Sequence, residues 1–133
     1  MHLYTRSSYR FLSKSLDCSQ TFLAISSADI LSPEETKAGL EPESSELAGL
    51  LERLPDLPGL ELRGLMMVPP FLEDLPAIRP YFRELRVLRD RLAAAHPRLS
   101  FDELSMGMSH DLETAIEEGS TCVRVGTAIF GAR

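Results

Sequence analysis

The apolar positions of this chain change their period several times between Thr21 and Gly131, and each change marks an element. "TFLAISSADIL" is a β-prone apolar run. It gives way to "SPEETKAG", where Ser32 can cap a helix, Pro33 suits its first position, Glu35 completes a capping box and Gly39 stops the turn. In "PESSELAGLLERL" the side chains of Leu47, Leu50, Leu51 and Leu54 fall on one helical face, and "LPDLPG" breaks that helix. "LELRGLMMVPP" predicts a strand, interrupted by Gly64 and closed by Pro69 and Pro70. A long amphipathic helix runs through "LPAIRPYFRELRVLRDRLAAAHP", where Ile78, Phe82, Leu85, Leu88 and Leu92 recur at three- and four-residue steps. "FDELSMGMS" predicts the next strand, "HDLETAIEEG" a compact helix ended by Gly119, and "TCVRVGTAIFG" the last strand.

The predicted order is β-α-β-α-β-α-β, which demands parallel strands joined by crossover helices. Four such units fit an open doubly wound sheet, or half of an eight-stranded (β/α) barrel. Length favours the first: 133 residues make one domain, whereas a closed barrel takes about 250. The strand ends favour the second.

"SMGMS" and "RVGTAIFG" both run from an apolar strand into a small-residue turn. Gly107 permits unusual dihedrals or a close backbone approach. Ser109 precedes the helix that starts near His110 and is placed to cap it. Alternatively, its hydroxyl and the first helical amides form an anion site. Gly126 ends the following strand, and Thr127 adds a hydroxyl and an N–H beside it. Consecutive parallel strands bring both turns to one sheet edge, and barrels often build a phosphate site from the loops after their last two strands. A phosphate monoester reached by Ser109, Gly126 and Thr127 is the favoured reading. Arg124 interrupts an apolar strand on the side opposite Val123 and Val125, and a buried charge needs a partner. That partner is either an acid such as Glu103 or an acceptor on the molecule that carries the phosphate.

The net charge of -6 argues against nucleic acid, which needs a basic face. Arg79, Arg83, Arg86, Arg89 and Arg91 share one segment with Asp74, Glu84 and Asp90, the pattern of a solvated helix face. No apolar run reaches the roughly 18 residues of a membrane span. Cys18 and Cys122 stand far apart, and His2, His96 and His110 are scattered, so no metal site is expected and a reduced cytoplasmic protein is. Residues 1–20 are basic, Ser-rich and without clear periodicity, and stay unassigned.

"LSMGMSHDLETAIEEGSTCVRVGTAIFGAR" closely resembles the C-terminal signature of the pyridoxal-phosphate homeostasis proteins, single-domain relatives of the alanine racemase N-terminal barrel. "SPEETKAGL", "LPGLELRGLMMVPP" and "RPYFRELRVLRDRLA" fit that family in the same order, so the resemblance runs from Leu31 to Arg133. It implies a partial TIM-type (β/α) barrel for residues 21–133, about four C-terminal βα units of a pyridoxal 5'-phosphate-binding domain. Ser109, Gly126 and Thr127 match the phosphate-binding positions, with Met108 beside them. Arg124 matches the arginine that faces the pyridine nitrogen, and Met66 lines the ring. A cation there disfavours protonation of the nitrogen and weakens the ring as an electron sink, which suits holding the cofactor better than transamination.

The family's Schiff-base lysine ends the first barrel strand, in the half of the domain with no counterpart here. Lys14 and Lys37 match no such position, and Ile30 stands near where the family has an asparagine. The resemblance therefore implies a truncated, non-catalytic cofactor-binding protein of vitamin B6 homeostasis. The alternatives are a racemase-like enzyme, for which Tyr4, Tyr9 and Tyr81 are poorly placed, and a vestigial half barrel without cofactor activity. Open strand edges predict self-association or pairing with an N-terminal half.

Overall fold

Four strands alternate with helices along the residues that the computed structural model describes, 20–24 and 39–131. The order is β1 (Gln20–Ala24), α1 (Ser45–Arg53), a 3-10 turn (Leu54–Asp56), β2 (Glu61–Met66), α2 (Leu75–Ala95), β3 (Glu103–Met108), α3 (Leu112–Glu117), β4 (Cys122–Arg124) and α4 (Thr127–Phe130). The capping signal at Ser32 to Glu35 lies outside the described residues, as do Ile30, Lys14 and Lys37.

All neighbouring strands pair in parallel, in the order β1-β2-β3-β4. The alternating α/β architecture expected from the sequence is what the chain forms. Strand order never reverses, so each crossover steps to the adjacent strand. A doubly wound sheet would carry a switch point where the order turns back.

The helices gather on one face of the sheet. Every residue of the α2 stripe is buried: Ile78, Phe82, Leu85, Leu88 and Leu92. They join Leu47 and Leu51 of α1, Leu65 of β2, Leu104 and Met106 of β3 and Ala115 of α3 in a single apolar cluster. Removing each large side chain from water contributes about 1.5–3 kcal/mol, so this face holds the fold together. The sheet also needs a glycine inside β2, because a Cβ on Gly64 would lie 1.7 Å from the Glu103 carbonyl oxygen.

Two predicted boundaries move. The helix expected from Pro42 begins at Ser45, because Ser44 takes the cap position and its hydroxyl accepts the Leu47 N–H at 3.2 Å. The last strand is shorter than "TCVRVGTAIFG". It ends at Arg124, and Thr127–Phe130 turn into one helical turn, with the Ile129 and Phe130 amides both bonded to the Gly126 carbonyl. Apolar residues alone cannot separate a strand end from a single helical turn.

Candidate functional site

The strand register sorts the polar side chains. Paired residues of neighbouring strands point to the same side of a sheet. Leu65 pairs with Leu104, so that row faces the helices. Met66 pairs with Ser105, and Ser105 with Cys122, which puts these three on the opposite face. Arg124, two residues beyond Cys122, shares that face.

Its guanidinium reaches back across two strands. Nη1 donates to the Ser105 carbonyl at 2.8 Å and to the Ser105 hydroxyl at 2.7 Å, and Nη2 donates to the Met67 carbonyl at 2.7 Å. Glu103, the acid that the sequence offered as a partner, is taken by Arg63 at 3.2 Å instead. Arg124 therefore lies along the sheet, half-buried, and its side chain is not turned out into water.

At the rim beside it, Ser109 corrects its predicted role. It does not cap α3. The residue before that helix is Asp111, whose carboxylate reaches backwards to the Met108 N–H at 2.6 Å. The Ser109 hydroxyl instead accepts from the amides of Gly126 and Ala128, at 3.1 and 3.2 Å. A hydroxyl oxygen that accepts twice still has its own O–H to donate. The turns after β3 and β4 are thus joined at one edge, with the exposed Thr127 between the two bonded amides.

The glycines at the end of β3 and just beyond β4 differ. Gly107 has φ +94°, and a Cβ there would come within 2.5 Å of the Ala115 Cβ, so its glycine serves the packing of α3 on β3. Gly126 has φ −125°, and a Cβ there would meet nothing within 4 Å. Among the described residues no contact demands a glycine at 126, where the position of a Cβ is open space.

Of the six residues picked from the sequence, Ser109, Gly126 and Thr127 come together at the rim, while Arg124 and Met66 share the open sheet face. Met108 pairs with Arg124 in register and is 44 % exposed. Sequence reasoning missed Ser105, although a serine buried between Leu104 and Met106 was a signal: a hydroxyl in an apolar strand needs a partner. It also missed the apolar rim of Phe71, Ile129 and Phe130, all exposed. His110 stacks on Phe71 at 5.0 Å, and its Nε2 lies 3.1 Å from the Leu72 carbonyl.

A cavity of about 240 Å³ opens beside Ser109, towards Leu75 and the start of α3. Asp111 and Glu113 are among its lining residues.

The arginines of α2 are likewise not a merely solvated face. Arg79, Arg83 and Arg86 converge on the buried Glu118, at 3.0, 3.2 and 3.6 Å. Arg79 also pairs with Glu117, and Arg86 Nη1 donates to the Glu118 carbonyl at 3.2 Å. The hydrogen bonds from Arg83 and Arg79 hold the Glu118 carboxyl below its ordinary range, against the opposing effect of burial. This cluster ties α2 to the end of α3 on the helix side, away from the rim.

The family described as "Alanine racemase, N-terminal domain" matches residues 33–133. A pyridoxal phosphate homeostasis protein of Aquifex aeolicus is 53 % identical over 100 residues, covering 75 % of this chain and 42 % of the relative. One from Vibrio cholerae is 49 % identical over 102 residues, covering 77 % of this chain and 42 % of the relative. Among solved structures, PipY of Synechococcus elongatus without PLP superposes with a TM-score of 0.72 at 35 % identity, over 84 % of this chain and 49 % of PipY. PipY with PLP bound superposes at 0.69 and 34 % identity, with the same coverage. The chain spans less than half the length of these curated relatives.

Proposed function

The chain belongs to the alanine racemase N-terminal-domain family, and on that premise we propose that it binds pyridoxal 5'-phosphate without a covalent anchor and serves vitamin B6 homeostasis as a non-catalytic cytoplasmic protein. Residues 21–133 form the C-terminal half of a TIM-type barrel. The unreversed strand order and the superposition on half of PipY support this architecture.

The donor set fits the group. The Ser109 O–H and the Thr127 hydroxyl provide donors and the open position at Gly126 provides room for a phosphate, while the Gly126 and Ala128 amides, which donate to Ser109, turn to the phosphate where it displaces that bond. The observation that carries the reading is the joining of these donors, by Ser109, on the edge where Arg124 lies along the open face. Ser109, Gly126 and Thr127 hold the phosphate, and Met108 and Met66 offer apolar contact to the ring. Arg124 faces the pyridine nitrogen and keeps the proton off it. When bound, the cofactor supplies an electron sink, which is strongest with that nitrogen protonated. Arg124 therefore favours storage over carbanion chemistry.

The face of the sheet opposite the helices carries no helix among the described residues, and the relatives are more than twice as long as the matched segment. A second half barrel, from another chain or from self-association, covers that face. Light scattering across a concentration series reads this directly.

The test of binding is a titration of the purified chain with pyridoxal 5'-phosphate, followed by absorbance and equilibrium dialysis. Binding is expected to be saturable, competed by inorganic phosphate and weakened at least about tenfold in S109A, the equivalent of about 1.4 kcal/mol. Borohydride treatment is expected to leave the masses of peptides containing Lys14 and Lys37 unchanged. Failure of the wild-type chain to bind would overturn the reading, and a reduced lysine adduct would overturn its non-covalent part.

A further inference from the structure

We propose that Ser105 is a positioning residue: its buried hydroxyl sets the orientation in which Arg124 presents its guanidinium on the open face of the sheet. The orientation itself is set by hydrogen bonds within the chain. Only its consequence for a bound pyridine ring rests on the reading above.

Ser105 is 5 % exposed and stands in sequence between Leu104 and Met106, both fully buried. A buried hydroxyl is costly without a partner. Its oxygen accepts from Arg124 Nη1 at 2.7 Å, and the same nitrogen donates its second hydrogen to the Ser105 carbonyl at 2.8 Å. Nη2 is held by the Met67 carbonyl at 2.7 Å. A guanidinium is planar, so acceptors on two strands fix both its tilt and its reach. Two of those acceptors are backbone carbonyls, present whatever the side chain. The Ser105 hydroxyl is the side-chain oxygen among the three, and hence the one that substitution can adjust.

Without it, the carbonyls of Ser105 and Met67 still hold Nη1 and Nη2, but one of the two Nη1 bonds is lost and the guanidinium rocks more widely between them. The arginine remains charged in either orientation. What changes is whether an N–H points steadily at an acceptor on the open face. Ser105 thereby governs how selectively Arg124 meets a neutral aromatic nitrogen. A fixed donor matches an unprotonated nitrogen and opposes a protonated one.

The experiment has two arms. In ligand-free chain carrying 15N-arginine, the Arg124 guanidinium signals are assigned by their loss in R124K. Slow rotation with separately resolved Nη signals is expected in wild type and in S105T, which keeps the hydroxyl. Faster rotation, read as broadening of the Nη signals, is expected in S105A, with a modestly lower urea midpoint. Identical Arg124 signals in wild type and S105A would overturn the proposal, whatever the cofactor does. In the second arm, pyridoxal 5'-phosphate labelled with 15N in the ring is bound to each variant. The ring-nitrogen shift is expected to move towards its protonated value in S105A and return in S105T, with a five- to tenfold weaker affinity for S105A. An S105A ring signal matching wild type overturns the link to the ring. If wild type fails to bind the labelled cofactor, the functional reading fails, and the first arm still decides the role of Ser105.

Discussion

Gly107 lies near the end of β3 and Gly126 just beyond β4, and replacing each with alanine should give opposite results. At Gly107 the new Cβ would lie 2.5 Å from the Ala115 Cβ, while carbon contacts are comfortable near 3.5–4.0 Å. The α3 helix would have to retreat from β3 by about 1 Å, an overpacking cost of about 1–3 kcal/mol. The φ of +94° adds about 1–2 kcal/mol for a residue with a side chain. Together they predict a loss of about 2–5 kcal/mol, a melting temperature lower by about 8–20 °C at roughly 4 °C per kcal/mol. At Gly126 the Cβ meets nothing, so stability should stay within about 0.5 kcal/mol of wild type. The methyl group would instead occupy space beside the Ser109 hydroxyl, and affinity for pyridoxal 5'-phosphate should fall about tenfold, or 1.4 kcal/mol. Urea unfolding followed by circular dichroism, paired with equilibrium dialysis, measures both. The assignment of one glycine to packing and the other to a ligand is wrong if G126A unfolds as easily as G107A. It is equally wrong if G126A binds the cofactor like wild type.

Three further expectations follow from the same geometry. The Glu118 carboxyl is held below its ordinary range by Arg83 and Arg79, so the stability it contributes is full above pH 4.5 and is lost as the pH falls through the lowered folded-state value. E118Q should therefore be less stable than wild type at neutral pH, and the gap should narrow in acid when urea midpoints are compared across that range. Phe82 is fully buried in the α2 stripe, and F82A should cost about 3–5 kcal/mol, read as a lowered urea midpoint with unchanged slope. S109A removes the acceptor of two exposed amides that water can replace, so stability should fall by no more than about 1 kcal/mol. Hydrogen exchange at Gly126 and Ala128 should accelerate in that variant, and unchanged protection would show that Ser109 does not join the two turns.

The helix-covered side of this protein was legible because its signal is periodic. Ile78, Phe82, Leu85, Leu88 and Leu92 repeat with the helix, and all five are buried. The alternation of elements gave the parallel sheet for the same reason. The site was only partly legible, because its contacts are long-range. Ser109 reads locally as the cap of the helix that follows it, yet its partners lie 17 and 19 residues onward. Arg124 called for an acid, and no local pattern could show that a carbonyl within β3 and one just beyond β2 would receive it. The spacing of Arg79, Arg83 and Arg86 put them on one helical face, but the carboxylate they surround belongs to another helix. The end of β4 was misjudged because "VGTAIFG" is apolar in either conformation, and the bonds to the Gly126 carbonyl decide it.

The grip of Arg124 on β2 and β3 also bears on how the last strand finds its alignment. Three residues are few to specify which way β4 faces, since sliding by one exchanges inner and outer side chains throughout. A slipped β4 would drive the cation of Arg124 into the leucine-lined layer under the helices and strand it there, a mistake far more costly than any hydrogen bond lost along the edge. A single arginine thus serves as a proofreader of folding: only one alignment of the edge strand gives its charge somewhere to go.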